Sequence, residues 1–347
     1  MTQPLPYLRR LTWVGLLGAA CVLAGILVRA SDAPALPQPV VRLGPEVNVG
    51  ATFGHPELSQ YQSDLRVDPT DAKRMCITCK RYTTPKLAER ESMLFFTRDG
   101  GVTWTFTELP ASGDPDVMYD HKGHAHWSFI GLSPDRTRPL GYRRSRDGGA
   151  NWEETRTPDK NFLVDHPHVI CDRSAVSKFK GSIYIAGRPF KGGGIAVLRS
   201  RDGGDTFQTT KVPLEGKLGL GFVFKPAVLS DGTLVIPVVS GNQFLADGRN
   251  YYAGNMKSIY CIRSRDGGVT FDAPMLITPV YHPGDAGVGG SAALGGFAVG
   301  KWGPGERLYL SYALQRAGRQ PAALALTTSD DAGSTWTAPR SVATPTP

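Results

Sequence analysis

The sequence predicts an all-β fold, a β-propeller of four-stranded blades, from three observations: an eight-residue motif that recurs five times at blade-sized spacing, a strand-like apolar run ahead of the copies, and a composition rich in turn formers. Of 347 residues, 41 are glycine and 27 proline, while 41% are hydrophobic, enough to bury a core. No helical period follows Val28.

The repeats are Thr97 to Trp104 (TRDGGVTW), Ser145 to Trp152 (SRDGGANW), Ser200 to Phe207 (SRDGGDTF), Ser264 to Phe271 (SRDGGVTF) and Ser329 to Trp336 (SDDAGSTW). Their aspartates Asp99, Asp147, Asp202, Asp266 and Asp331 lie 48, 55, 64 and 65 residues apart, room for one small sheet each. The carboxylate can accept N–H groups of its own tight turn, and the glycine after it supplies the positive φ that such a turn needs. The closing aromatic leads into the next strand. Runs such as Met93 to Phe96, Ile183 to Ala186, Leu234 to Val238 and Leu308 to Tyr312 read as strands that the motifs terminate. Small sheets repeated around an axis leave few open edges.

Ahead of the repeats, Arg9 and Arg10 precede an apolar run from Leu11 to Val28, and Val28-Arg29-Ala30 resembles a small-residue cleavage site. Residues 1–30 therefore read as a signal peptide or signal anchor, and the protein as exported: secreted, periplasmic, or tethered to a membrane through residues 11–28. Residues 31–56 read as a linker, in which Val40 to Val49 offers a ring-closing outer strand, residues 57–340 as the propeller, and residues 341–347 as a tail. Cys76 and Cys79 form a C-x-x-C without a second pair, so buried thiols or one long-range disulfide are expected with Cys171 and Cys261, not zinc. The formal charge is +8, of which Arg9, Arg10 and Arg29 carry three, leaving +5 spread around the repeats. No basic stripe suited to nucleic acid is present.

The five motifs resemble the Asp-box, or BNR, repeats of the sialidase superfamily, from about Glu57 to Pro339. That resemblance implies a sialidase-like propeller, structural boxes at the blade periphery and a ligand in the central depression. The family's catalytic domain has six blades, and five are visible here, so five or six are expected. It also implies a glycan or glycoconjugate partner, no cofactor, and, for an enzyme, an exo-acting glycoside hydrolase. The family's arginine trio, tyrosine–glutamate pair and Arg-Ile-Pro signature have no counterpart: Gln62-Ser63-Asp64-Leu65-Arg66 stands at the last of these, and Lys225 precedes Asp231-Gly232-Thr233-Leu234 without a glutamate.

All seven histidines, His55, His121, His124, His126, His166, His168 and His282, precede or begin a blade. By the two-residue period of extended chain, His124 and His126 share a face, as do His166 and His168, and two neighbouring blades are expected to present four imidazoles to one pocket. Asp64, Asp116, Asp120, Asp165 and Asp285 lie in matching loops. Asp64, His126, Asp165, His166 and His168 are the catalytic candidates, as acid–base groups. Arg66, His124, Arg188, Lys225, His282 and Asp285 are the candidates for binding substrate. No metal is assigned; were one bound, His124, His126, His166 and His168 would be its ligands. Two other readings stay open: a non-catalytic propeller that binds a protein or polysaccharide, and a metal-dependent hydrolase.

Overall fold

The computed structural model describes residues 49, 60–82, 90–110, 112–131, 138–189, 194–212, 220–241, 256–281, 295–314 and 323–343, all within the compact unit Val49–Pro347. The leader, the proposed ring-closing segment apart from Val49, His55, His282 and Asp285 lie outside them.

The described residues form five antiparallel sheets, each a meander in chain order. The first is β1 (Gln60–Asp68), β2 (Asp71–Tyr82), β3 (Arg90–Thr97) and β4 (Thr105–Pro110). The second is β5 (Ser112–Tyr119), β6 (Ala125–Gly131) and β7 (Leu140–Ser145), with a bridge from Tyr142 to Arg156 where a fourth strand would run. The third is β8 (Val164–Cys171), β9 (Ile183–Pro189), β10 (Ile195–Ser200) and β11 (Gln208–Val212). The fourth has a broken first strand, β12 (Leu220–Val223) and β13 (Ala227–Val228), then β14 (Leu234–Gly241), β15 (Met256–Ser264) and β16 (Met275–Tyr281). The fifth is β17 (Phe297–Trp302), β18 (Gly305–Leu314), β19 (Ala323–Ser329) and β20 (Arg340–Ala343). The first strands neighbour one another from β1 through β5, β8 and β12–β13 to β17, as the inner strands of blades do.

Alternation explains why the interior strands are apolar on both sides. On β3, Leu94 and Phe96 pack toward the second blade with Val117, Tyr119, Trp127 and Phe129, whereas Met93 and Phe95 join Cys79, Val49 and Trp104 on the other face. A larger cluster joins blades two to four, and two smaller ones join blades four and five.

Every box lies between the third and fourth positions of its blade. In the third, Asp202 accepts the Ser200 hydroxyl at 2.7 Å, the Thr206 N–H at 3.0 Å and the Thr206 hydroxyl at 2.6 Å, and Ser200 Oγ accepts the Gly204 N–H at 2.8 Å. Asp266 and Asp331 repeat this pattern, and in the second box Asn151 replaces the threonine. Trp104, Trp152 and Trp336 return their indole N–H to the carbonyls of Gly101, Gly149 and Gly333. These bonds favour the ionised carboxylate, which is held well below the usual range at Asp99 and Asp202 and at about 2 in Asp147 and Asp266.

The boxes also fasten blade to blade. Arg144 of β7 donates to the Gly203 carbonyl at 2.5 Å and to Asp205 at 2.7 Å in the next box, and Arg263 of β15 donates to Ser334 at 2.6 Å. Tyr142 lies so close to Gly204 that a Cβ there would clash with its hydroxyl. The motif arginine Arg201 reaches the Asp266 carbonyl at 3.3 Å.

The four described cysteines are buried. Cys76 and Cys79, three apart on β2, point to opposite faces, into different clusters, so the C-x-x-C cannot close. Burial pushes the thiols up, to about 11 at Cys79 and about 12 at Cys76 and Cys261.

The fifth box departs from the others at one backbone position. Gly100, Gly148, Gly203 and Gly267 hold φ between 71° and 78°, and Ala332 occupies the same place at 57°. A side chain is strained there, so Ala332→Gly should stabilise the protein by about 0.5–1 kcal/mol in a urea melt.

Candidate functional site

Three inner strands carry the same irregularity near their starts. Between Tyr61 and Asp64 on β1, Gly113 and Asp116 on β5, and Asp165 and His168 on β8, the inner strand spends one residue more than its partner. A β-bulge of this kind turns side chains out of the normal alternation. Asp64, Asp116 and His168 are the first residues to resume pairing, opposite Thr78, Ser128 and Ala186. On β5 and β8 the bulges have one sequence plan, Asp114-Pro115-Asp116 and His166-Pro167-His168, and Asp114 and His166 take φ of 47° and 50°. Non-glycine residues rarely adopt that conformation, and strain of this sort gathers at functional sites.

The bulges open onto a cavity of about 410 Å³ lined from all five blades: Asp64 and Arg66, both bulge triplets, Phe224 and Lys225, and Gly295 to Phe297. Lys225 reaches it because the fourth blade's inner strand breaks between β12 and β13, where Pro226 has no N–H to offer a ladder. Its ammonium spans the axis and donates to Asp64 at 2.5 Å, Asp116 at 2.7 Å and the Val117 carbonyl at 3.0 Å. All three N–H groups are thereby used. A second cavity of about 430 Å³ shares Arg66, Lys225 and Phe297 with the first and is otherwise lined by residues such as Met118, Arg173, Ser230 and Glu306.

Asp64 and Asp116 thus share one ammonium, and burial together with the Asp116 charge raises Asp64 to about 7. Asp116 is the ionised partner: burial opposes its charge, but Lys225 and His168 outweigh that and hold it far below the carboxylate range. It also accepts the Val169 N–H at 2.7 Å and lies 3.6 Å from His168 Nδ1. Asp64 is thus the member of the pair whose proton is held well above the ordinary carboxylate range.

Behind this pair lies an ion network. Asp114 accepts from Lys80 at 2.6 Å, Asp165 is bound by Arg188, its partner across the β8–β9 ladder, and His166 Nδ1 lies 3.2 Å from Asp165 and 4.0 Å from Asp114. Burial works against the charge on His166, but the two carboxylates raise its pKa; Asp165 is held at about 2, burial being outweighed by His166 and Arg188. Asp114, Asp165 and His166 place ligand atoms within 4.8 Å of one another, as a metal site would. Because Lys80 and Arg188 already neutralise both carboxylates, the donor set suits an ion-pair network better than a metal cage.

Of the catalytic candidates, Asp64, His166 and His168 line the cavity, with Asp165 behind His166. Of the binding candidates, Arg66 and Lys225 line it, and Arg188 stands behind through Asp165. The expectation that four imidazoles share one pocket needs correction. His124 and His126 lie at the β5–β6 hairpin, beyond the pocket end of β5, and flank Asp120 at 3.3 and 3.5 Å; His126 is fully buried and bonds the Tyr142 hydroxyl at 2.7 Å. Burial lowers the His126 pKa, which suits a neutral structural ring. The two-residue period cannot say which end of a strand faces the axis. This split also removes the proposed ligand set of His124, His126, His166 and His168. Arg81 is tied to Glu91 and Glu108 outside the cavity, and Tyr312 is fully buried in the core.

Asp114, Lys80, Phe224 and Phe297 were not foreseen. The twin Asp-Pro-Asp and His-Pro-His triplets were a readable signal for Asp114, whereas Lys80 and the two phenylalanines had none.

The Asp64–Asp116 pair gives stability a definite pH dependence. Unfolded aspartate titrates near ~3.9, so between there and about 7 the folded pair holds a proton that the unfolded chain does not. Stability from Asp64 is therefore full at low pH and lost as pH rises through 7. Thermal melts should show a falling midpoint from pH 6 to pH 8, and Asp64→Asn should remove most of that slope.

No family model matches the sequence, and no curated protein matches it. Solved structures do match the fold. The intramolecular trans-sialidase of Ruminococcus gnavus, in complex with oseltamivir carboxylate, superposes with a TM-score of 0.59 at 10% identity, over 83% of this chain and 85% of that one. A leech intramolecular trans-sialidase complexed with 2,7-anhydro-Neu5Ac gives 0.58 at 11%, over 83% and 61%. The NanB sialidase of Streptococcus pneumoniae gives 0.57 at 10%, over 80% and 60%, so this chain spans about three-fifths of the length of NanB and of the leech enzyme. At such identity the likeness speaks to architecture: this chain has the sialidase β-propeller fold.

Proposed function

We propose that this protein is an exported propeller that recognises the end of a glycan in its central cavity. The observation that carries the reading is the convergence of bulged inner strands on one cavity of about 410 Å³ at the hub, where an apolar wall carries a few charged side chains, a size and position suited to a small ligand. The fold likeness supports glycans as the ligand class, because the neighbours include sialidases and trans-sialidases. The leader, Arg9 and Arg10 followed by Leu11 to Val28, supports export.

A second, hydrolytic reading is favoured by the placement of Asp64, which lines the cavity beside Lys225 and whose pKa burial raises toward that of a general acid. The route would differ from the two-carboxylate schemes, which separate the groups by ~5–9.5 Å to admit a nucleophile or a water. Asp64 and Asp116 instead share the Lys225 ammonium, at 2.5 and 2.7 Å, and no tyrosine or glutamate is among the described residues lining the cavity.

Displaying the full-length chain on an array of glycans should retain it on a defined group of terminal sugars; retention on none would reject the binding reading. Turnover of a panel of fluorogenic glycosides tests the second reading separately. Asp64→Asn should lower any such turnover by roughly 10²-fold, the usual scale for a lost acid. Binding without turnover on the panel would leave recognition as the whole function.

A further inference from the structure

Resting on the glycan reading above, we infer that His168 Nε2 accepts a hydroxyl of the bound sugar, and that Asp116 is the positioning residue that fixes the ring and its tautomer for this role.

The bulge on β8 delivers His168 to the cavity wall, and its backbone is fixed from two neighbouring strands. The Ser128 hydroxyl of β6 donates to the Pro167 carbonyl at 3.1 Å, and His168 pairs with Ala186 of β9. The two ring nitrogens have different surroundings. Nδ1 is enclosed and lies 3.6 Å from Asp116 Oδ2, whereas Nε2 is not among the enclosed atoms and the side chain keeps 24% exposure. Asp116 is itself held in place, by Lys225 at 2.7 Å from Oδ1 and by the Val169 N–H at 2.7 Å from Oδ2.

An ionised carboxylate facing one imidazole nitrogen stabilises a proton there, so in the neutral ring the hydrogen sits on Nδ1 and the lone pair on Nε2. Contacts of this kind are often long before a ligand binds and shorten in the complex. A lone pair exposed in a cavity calls for a donor, and a sugar hydroxyl supplies one. Arg66 and Lys225, in the same wall, can only donate. A polyol, whose hydroxyls each donate and accept, satisfies both kinds of group.

The test has two arms, both on the full-length chain. In nitrogen NMR of histidine-labelled protein, neutral His168 should show Nδ1 protonated and Nε2 as the bare nitrogen. Asp116→Asn should shift the ring toward the Nε2–H form, while the signals of His126, held by the Tyr142 hydroxyl at 2.7 Å, report an intact fold. A merely structural carboxylate would leave the tautomer unchanged; that result, or an Nε2–H ring in the unaltered protein, would overturn the inference. In the second arm, calorimetric titration with the methyl glycosides of glucose, galactose, mannose, N-acetylglucosamine and N-acetylneuraminic acid identifies a sugar that binds. His168→Phe, which keeps a ring but no acceptor, should weaken that sugar roughly tenfold or more, the scale of one lost hydrogen bond that leaves its partner unpaired. His168→Gln, whose amide oxygen can stand at the Nε2 position, should recover part of the loss. Equal binding after His168→Phe would overturn the inference and leave the glycan reading standing; binding of no sugar by the unaltered chain would overturn both.

Discussion

The frame depends on a carboxylate that accepts the donors of its own turn. At Asp202, Asp266 and Asp331 the same few atoms close the turn between the third and fourth strands, and Ser200, Ser264 and Ser329 tie the glycine two residues beyond the aspartate back to the strand end. Because Arg144 and Arg263 then grip the following box, the local turn becomes a joint between blades. One short segment therefore serves both the hairpin and the packing of neighbouring blades, which accounts for its repetition where the rest of each blade varies in sequence and length.

The hub is built on the opposite principle. Its strands share a backbone device, the one-residue bulge, but not its residues: Ser63-Asp64, Asp114-Pro115-Asp116 and His166-Pro167-His168 occupy corresponding places. The geometry is repeated while the chemistry changes from blade to blade. Lys225 then converts separate strands into one electrostatic unit, since its ammonium binds residues from the first and second blades while anchored in the fourth.

These two kinds of construction explain what could be read from the sequence. A box is local, its partners all within a few residues, so Asp99 through Asp331 were recognisable and their peripheral role followed. The hub is non-local: Lys225 contacts Asp64 across 161 positions, and nothing near either residue announces the other. His124 and His126 have the same spacing as His166 and His168, yet they sit at a hairpin around Asp120, because strand polarity within the blade decides which pair reaches the axis. Asp64, Asp165, His166 and His168 were singled out because they precede or begin inner strands, and the proline between paired charged residues was the sign of a bulge that alternation alone could not supply.

The lysine that joins the blades also belongs to two hollows at once. The two cavities share Arg66, Lys225 and Phe297 in their walls, so any shift of the Lys225 side chain reshapes both.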